Sequence, residues 1–135
     1  MTPVGGQAGR AVRVGIAGAS GRMGRALAAA ASQAEGLEIA ARFGRLGAGE
    51  DSFVTAEAAL AACDVIVDFT SGAASAALAT RAAVLGGPAM VIGSTGFSAD
   101  EAAAISAAGA RIAIVKSGNF SIGINVLAGL VEQAA

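Results

Sequence analysis

Gly18, Gly21 and Gly24 recur at three-residue intervals in VRVGIAGASGRMGRAL, between an apolar β-branched run and an alanine-rich run. A glycine loop joining a strand to a helix can cradle a pyrophosphate. Gly18 permits the tight exit from the strand, Gly21 leaves room for phosphate to approach the backbone, and Gly24 lets the helix pack on the sheet. The helix start then offers unpaired N–H groups to the anion, and Arg22 can add a charge-assisted contact. The alternative is a merely structural turn, since the chain holds 20 glycines. If the loop binds a dinucleotide, the end of the second strand selects which one. An acid there would bond the ribose hydroxyls and favour NAD. The chain instead reads AARFGRLGAGED, with Gly44 at that place between Arg42 and Arg45. An arginine can pair with a 2′-phosphate, so NADPH is expected over NADH. The competing reading makes both arginines solvated loop residues.

Other chemistries are excluded by what the chain lacks. It has no histidine among 135 residues, which removes His-based acid–base catalysis and leaves metal ligation without its commonest ligand. Its single cysteine, Cys63 in LAACDVIVDF, forms no internal disulfide and reads as a small core residue. Nine basic and 10 acidic residues give a net charge of −1, without the footprint of a nucleic-acid or anionic-membrane partner. MTPVGGQAGRAVR has no apolar core of a signal peptide, and no apolar run approaches the ~18 residues of a membrane span. A cytoplasmic protein of one domain is expected.

The elements that would position these residues alternate regularly. AVRVGIAG, LEIAARF, DVIVDFT, AMVIGST and ARIAIVK read as strands. Between them GRMGRALAAAASQAEG, AEAALAAC, SGAASAALATRAAVLGG and SADEAAAISAAG read as helices, the first closed by Gly36 as a C-cap. Ser98 and Glu101 form a capping box. DVIVDFT is continuously apolar, which predicts burial on both faces. Strand–helix alternation implies an α/β fold with an open parallel sheet, whose ligands bind beyond the carboxyl ends of the strands. Asp68 ends a strand and is read either as part of that crest or as a cap of the following helix. Ser121 is read as a helix cap rather than a nucleophile, having no histidine to activate it.

Four stretches, GIAGASGRMG, DVIVDFT, VIGSTGF and KSGNFSIGINVL, in this order and at these intervals resemble the nucleotide-binding half of the bacterial 4-hydroxy-tetrahydrodipicolinate (dihydrodipicolinate) reductase family. The resemblance runs from about Val12 onward. It implies a Rossmann-like doubly wound parallel sheet as a single domain over residues 12–120, a flexible tail over 1–11, and a bridging helix over 121–135 towards an absent substrate domain. It also implies hydride transfer from NADPH or NADH to a cyclic imine on the route to diaminopimelate and lysine. Carried over by residue, Gly18, Ala19, Ser20, Gly21, Arg22 and Met23, with Gly24 behind them, would hold the pyrophosphate, and Arg45 the 2′-phosphate. Gly93, Ser94 and Thr95 would line the nicotinamide, where the family more often reads G-T-T-G, and the Thr95 hydroxyl could reach the substrate. Ser117, Gly118, Asn119 and Phe120 would flank the nicotinamide.

The family's histidine-rich motif and its D-A-P-S-G-T loop, which bind the substrate's two carboxylates and supply the proton, have no counterpart here. The sole lysine is Lys116. By resemblance the catalytic residues lie in the absent domain, and the chain alone is expected to be inactive. Full-length members form homotetramers largely through that domain, so a monomer or weak dimer is expected. A stand-alone nucleotide-binding or redox-sensing module is the other class left open, and a different two-domain dehydrogenase is a lesser one.

Overall fold

The structure, a computed structural model, describes residues 9–44 and 53–118. The elements run β1 (Val12–Ala17), α1 (Arg22–Gln33), β2 (Leu37–Phe43), α2 (Ala56–Ala62), β3 (Val65–Asp68), α3 (Gly72–Leu85), β4 (Ala89–Ile92), α4 (Ala99–Ala108) and β5 (Ile114–Lys116). The strands pair in parallel in the order β2-β1-β3-β4-β5. This is the doubly wound, Rossmann-like α/β fold expected from the alternation. The chain winds outward from β1 in one direction and from β3 in the other, so the switch point lies between those two neighbours.

Right-handed crossovers put helices of opposite winding on opposite faces. One face packs Ile66, Met90 and Ile92 of β3 and β4 against Leu60 of α2, Ala79 of α3 and Ile105 of α4. The other packs Val14 and Ile16 of β1 against Leu27 and Ala28 of α1. Ile66, Met90 and Ile92, all fully buried, anchor the first face, and truncating one of them to alanine costs about 2–5 kcal/mol. The second face is thinner. In β3 and β4 alternate residues are only half-buried, and the in-register row Val67, Val91, Val115 runs across it to a Val115 that is 58% exposed. Burial of DVIVDFT on both faces is therefore corrected: among the described residues α1 is the only helix on the second face, and it packs over β1 and β2 rather than the β4–β5 edge.

Helix ends follow local chemistry. The Thr55, Ser71 and Ser98 hydroxyls accept backbone N–H bonds at the starts of α2, α3 and α4. The capping box is formed, with the Glu101 N–H donating to Ser98 Oγ at 3.1 Å and the Ser98 N–H donating to Glu101 Oε2 at 3.2 Å. Gly86 ends α3 with φ +75°. Gly36 is not the C-cap of α1. That helix stops at Gln33, with extended Ala34 at its end, and the Gly36 carbonyl accepts the Val12 N–H at 2.8 Å as the chain turns into β2. The fifth strand is also shorter than ARIAIVK suggests. The N–H groups of Arg111 and Ile112 donate back to the Ala108 carbonyl at the end of α4, so pairing with β4 starts only where Met90 donates to the Ala113 carbonyl.

Candidate functional site

The loop after β1 is built by a local hydrogen bond and one close approach. Gly18 takes φ +69°, a region costly to other residues, and its carbonyl accepts the Gly21 N–H at 3.0 Å. Gly24 is buried against that same turn, and a Cβ on it would stand 2.6 Å from Ala19 Cα. The first turn of α1 is thereby pressed onto the loop. Ala19 is buried and its N–H donates to the Phe43 carbonyl at 3.1 Å, tying the loop to β2. Ser20, Gly21, Arg22 and Met23 face solvent. Unlike α2, α3 and α4, α1 has no side-chain cap, and no acid lies in its first turn. Its leading N–H groups and partial positive charge are left for an anion.

Gly44, at the end of β2, stands beside this loop: a Cβ there would lie 3.8 Å from Ser20 Oγ. Arg42 is exposed on β2. Arg45 lies outside the described residues, as do Asn119 and Phe120.

The second cluster forms where β4 and β5 end. The Gly93 N–H donates to the Asp68 carbonyl at 2.8 Å, and the Ser117 N–H to the Ile92 carbonyl at 3.1 Å, so both turns continue the sheet's ladder. Ser94 is buried and shares a 2.7 Å hydrogen bond with Ser75 of α3. Thr95 is exposed, and its methyl lies 4.0 Å from the position of a Cβ on Gly118. Gly93, Ser94 and Thr95 are thus brought together with Ser117 and Gly118. Beside them Lys116 Nζ sits 4.7 Å from the centroid of the Phe97 ring.

Between the two clusters lies the end of β3, which sequence reading under-used. Asp68 does not cap α3; Ser71 does. Asp68 is instead wholly buried, and its Oδ1 accepts the Thr70 N–H at 2.9 Å and the Thr70 hydroxyl at 2.6 Å. The D-F-T spelling carried a signal for this, because an acid followed two residues later by a hydroxyl suits a side-chain turn. Ser75 was also missed; a lone serine midway along alanine-rich α3 was its only mark.

Other polar features lie at the far end of the sheet. Asp64, ahead of β3, accepts from Arg10 at 2.8 and 2.9 Å and from the Arg13 backbone N–H at 2.9 Å. The Arg10 and Arg13 guanidinium groups hold its carboxyl far below the usual carboxylate range. A hollow of about 540 Å³ opens there between Leu60, Cys63, Asp64, Leu85 and Pro88, on the opposite side from the glycine loop. Burial pushes the Cys63 thiol up, so it stays protonated and behaves as the expected core residue.

The family model for the N-terminus of dihydrodipicolinate reductase matches residues 12–120. The chain belongs to the dihydrodipicolinate reductase family. Among similar proteins, the 4-hydroxy-tetrahydrodipicolinate reductase of Caulobacter vibrioides is 53% identical over 124 residues, covering 92% of this chain and 48% of that protein. The reductase of the same name from an Anaeromyxobacter species is 44% identical, covering 92% of this chain and 51% of its own length. That from Zymomonas mobilis is 37% identical with 92% and 48% coverage. The chain spans about half the length of these reductases, and the matched half is the family's N-terminal, nucleotide-binding part.

Proposed function

We propose that this chain binds NADPH in preference to NADH along the carboxyl crest of its sheet, as the reductant-holding part of a 4-hydroxy-tetrahydrodipicolinate reductase in diaminopimelate and lysine biosynthesis. The observation that carries the reading is the glycine loop: Gly24 packed against Ala19, in front of a helix start with no side-chain cap and no acid. That arrangement fits a pyrophosphate: the helix start is held tight against the loop and its leading N–H groups are left open to an anion. Bound cofactor would supply the hydride. The protein's part is to fix it in place: the α1 N–H groups and Arg22 on the phosphates, Arg45 on the 2′-phosphate, and the turn Gly93–Ser94–Thr95 with Ser117–Phe120 around the nicotinamide.

Holding a dicarboxylate substrate and delivering a proton call for cations and an acid close to the hydride. With no histidine and a single lysine in the chain, these groups are proposed to come from residues outside it, and the isolated chain is proposed to bind without turnover. The proposed setting is the cytoplasm; among the described residues no helix is long and apolar enough to cross a membrane. A monomer or weak dimer is proposed for the isolated chain, and light scattering after size exclusion tests it; a stable tetramer would refute it.

Fluorescence titration of the 135-residue chain with NADPH and NADH tests the central reading. NADPH is expected to bind more tightly. Arg45→Ala should weaken NADPH about tenfold or more, the loss of one charge-assisted bond, with little change for NADH. Equal or tighter NADH binding refutes the preference, and absence of binding to either refutes the reading.

A further inference from the structure

The turn that would hold the pyrophosphate and the turn that would line the nicotinamide are both shaped by three consecutive residues at the end of β3. Thr70 bears on the first: a Cβ on Gly18 would lie 2.9 Å from Thr70 Cγ2. Phe69 bears on the second, since its ring occupies the space a side chain on Gly93 would need, while the Asp68 carbonyl holds the Gly93 N–H at 2.8 Å. Asp68 fixes the triplet through its side chain, with Oδ1 taking both Thr70 donors. Its Oδ2 is buried and has no hydrogen-bond partner among the described residues. An orphaned buried oxygen is destabilising, and a side chain kept at such a cost is a candidate for a functional role rather than a packing one.

We infer that Asp68 is a positioning residue. Through Thr70 on one side and the Phe69–Gly93 contact on the other, it sets the glycine loop and the Gly93–Thr95 turn in one fixed relation. This rests on the nucleotide-binding reading for its consequence: the cofactor meets two loops already spaced for it, so less ordering has to accompany binding. The link from Asp68 to the glycine loop depends on the Thr70 hydroxyl for anchorage and on the Thr70 methyl for contact.

Two variants separate those roles. Thr70→Val keeps a methyl beside Gly18 and removes the hydroxyl held by Asp68. Thr70→Ser keeps the hydroxyl and gives up the methyl. Amide hydrogen exchange on the ligand-free chain gives the first readout. In Thr70→Val the Gly21 and Gly93 N–H groups should exchange faster together, by about tenfold, while amides in the middle of α4 keep wild-type rates. Thr70→Ser should hold Gly93 at its wild-type rate. Calorimetry gives the second readout: Thr70→Val should weaken both NADPH and 2′-phospho-ADP-ribose by about tenfold. Wild-type exchange at Gly21 and Gly93 in Thr70→Val, or faster exchange at only one of them, overturns the inference. So does an equal loss of protection at Gly93 in Thr70→Ser. Because exchange needs no ligand, a wild-type chain that binds neither nucleotide would refute the nucleotide-binding reading while the exchange data still decide this one.

Discussion

β3 carries a carboxylate at each end, and the two are handled in opposite ways. Asp64, just before the strand, is partly solvent-exposed and accepts bonds from Arg10 and Arg13. Asp68, the strand's last residue, is wholly buried, satisfied at one oxygen and orphaned at the other. Only Val65, Ile66 and Val67 separate them. At the amino end of a parallel sheet a charge can be neutralised by arginines and left to solvent. At the carboxyl end the loops must be spaced for a ligand, and here a buried acid is tolerated because of what it holds. The contrast divides the molecule into an end that is electrostatically complete and an end whose pieces fit around space.

The largest break in that contrast should come from Asp68→Ala. It removes the acceptor of two Thr70 donors and leaves a void beneath the crest. A destabilisation of about 2–4 kcal/mol is expected from the lost hydrogen bonds, the two unpaired Thr70 donors and the void, read as a lower denaturant midpoint. If the orphaned Oδ2 dominates instead, the variant will be as stable as wild type, and the acid will have been a net burden on folding. Gly93→Ala comes next. Its added methyl must displace the Phe69 ring, an overpacking cost of about 1–3 kcal/mol. Nucleotide affinity should fall with it, since the ring and the turn move together. A variant with wild-type midpoint and wild-type NADPH affinity would show that the ring can swing aside freely.

How much of this was legible beforehand depends on how local the cause was. LEIAARF coincides with β2 residue for residue, because alternation with flanking glycine is a short-range signal. The capping box at Ser98 was readable for the same reason. Gly18 and Gly24 were legible as types, though not the reason for them: what fills the space beside Gly18 is Thr70, fifty-two positions away. Asp68 could be seen as an acid at a strand end, but cap and crest differ only in which N–H lies within reach, and Ser71 wins that contest through its place at the start of α3. That the described residues cover only part of the second face was illegible too. An apolar β3 fits a sheet covered on both sides, and the order of strands, rather than their composition, decides where α1 falls.

The smallest effect belongs to Asp64 and is best read through pH. Hydrogen bonds from the Arg10 guanidinium, then from the Arg13 side chain and backbone, depress its folded-state pKa. A depressed carboxyl contributes stability that is fully present above the unfolded value of about 3.9 and is lost as pH falls through the folded one. The contribution should therefore be constant from neutral pH down to about 5 and fade below about 4. Asp64→Asn cannot ionise, so its thermal midpoint should lie slightly under wild type at pH 7 and the gap should close on acidification. Because Arg10 and Arg13 are substantially exposed, added salt should narrow the gap at pH 7 as well. A gap that persists unchanged at about pH 2.5, well below the unfolded carboxyl value, would mean that the Asp64→Asn variant suffers from lost hydrogen-bond geometry at the Arg13 backbone rather than lost charge. The amino end of β3 would then be fixed by shape, as the carboxyl end is.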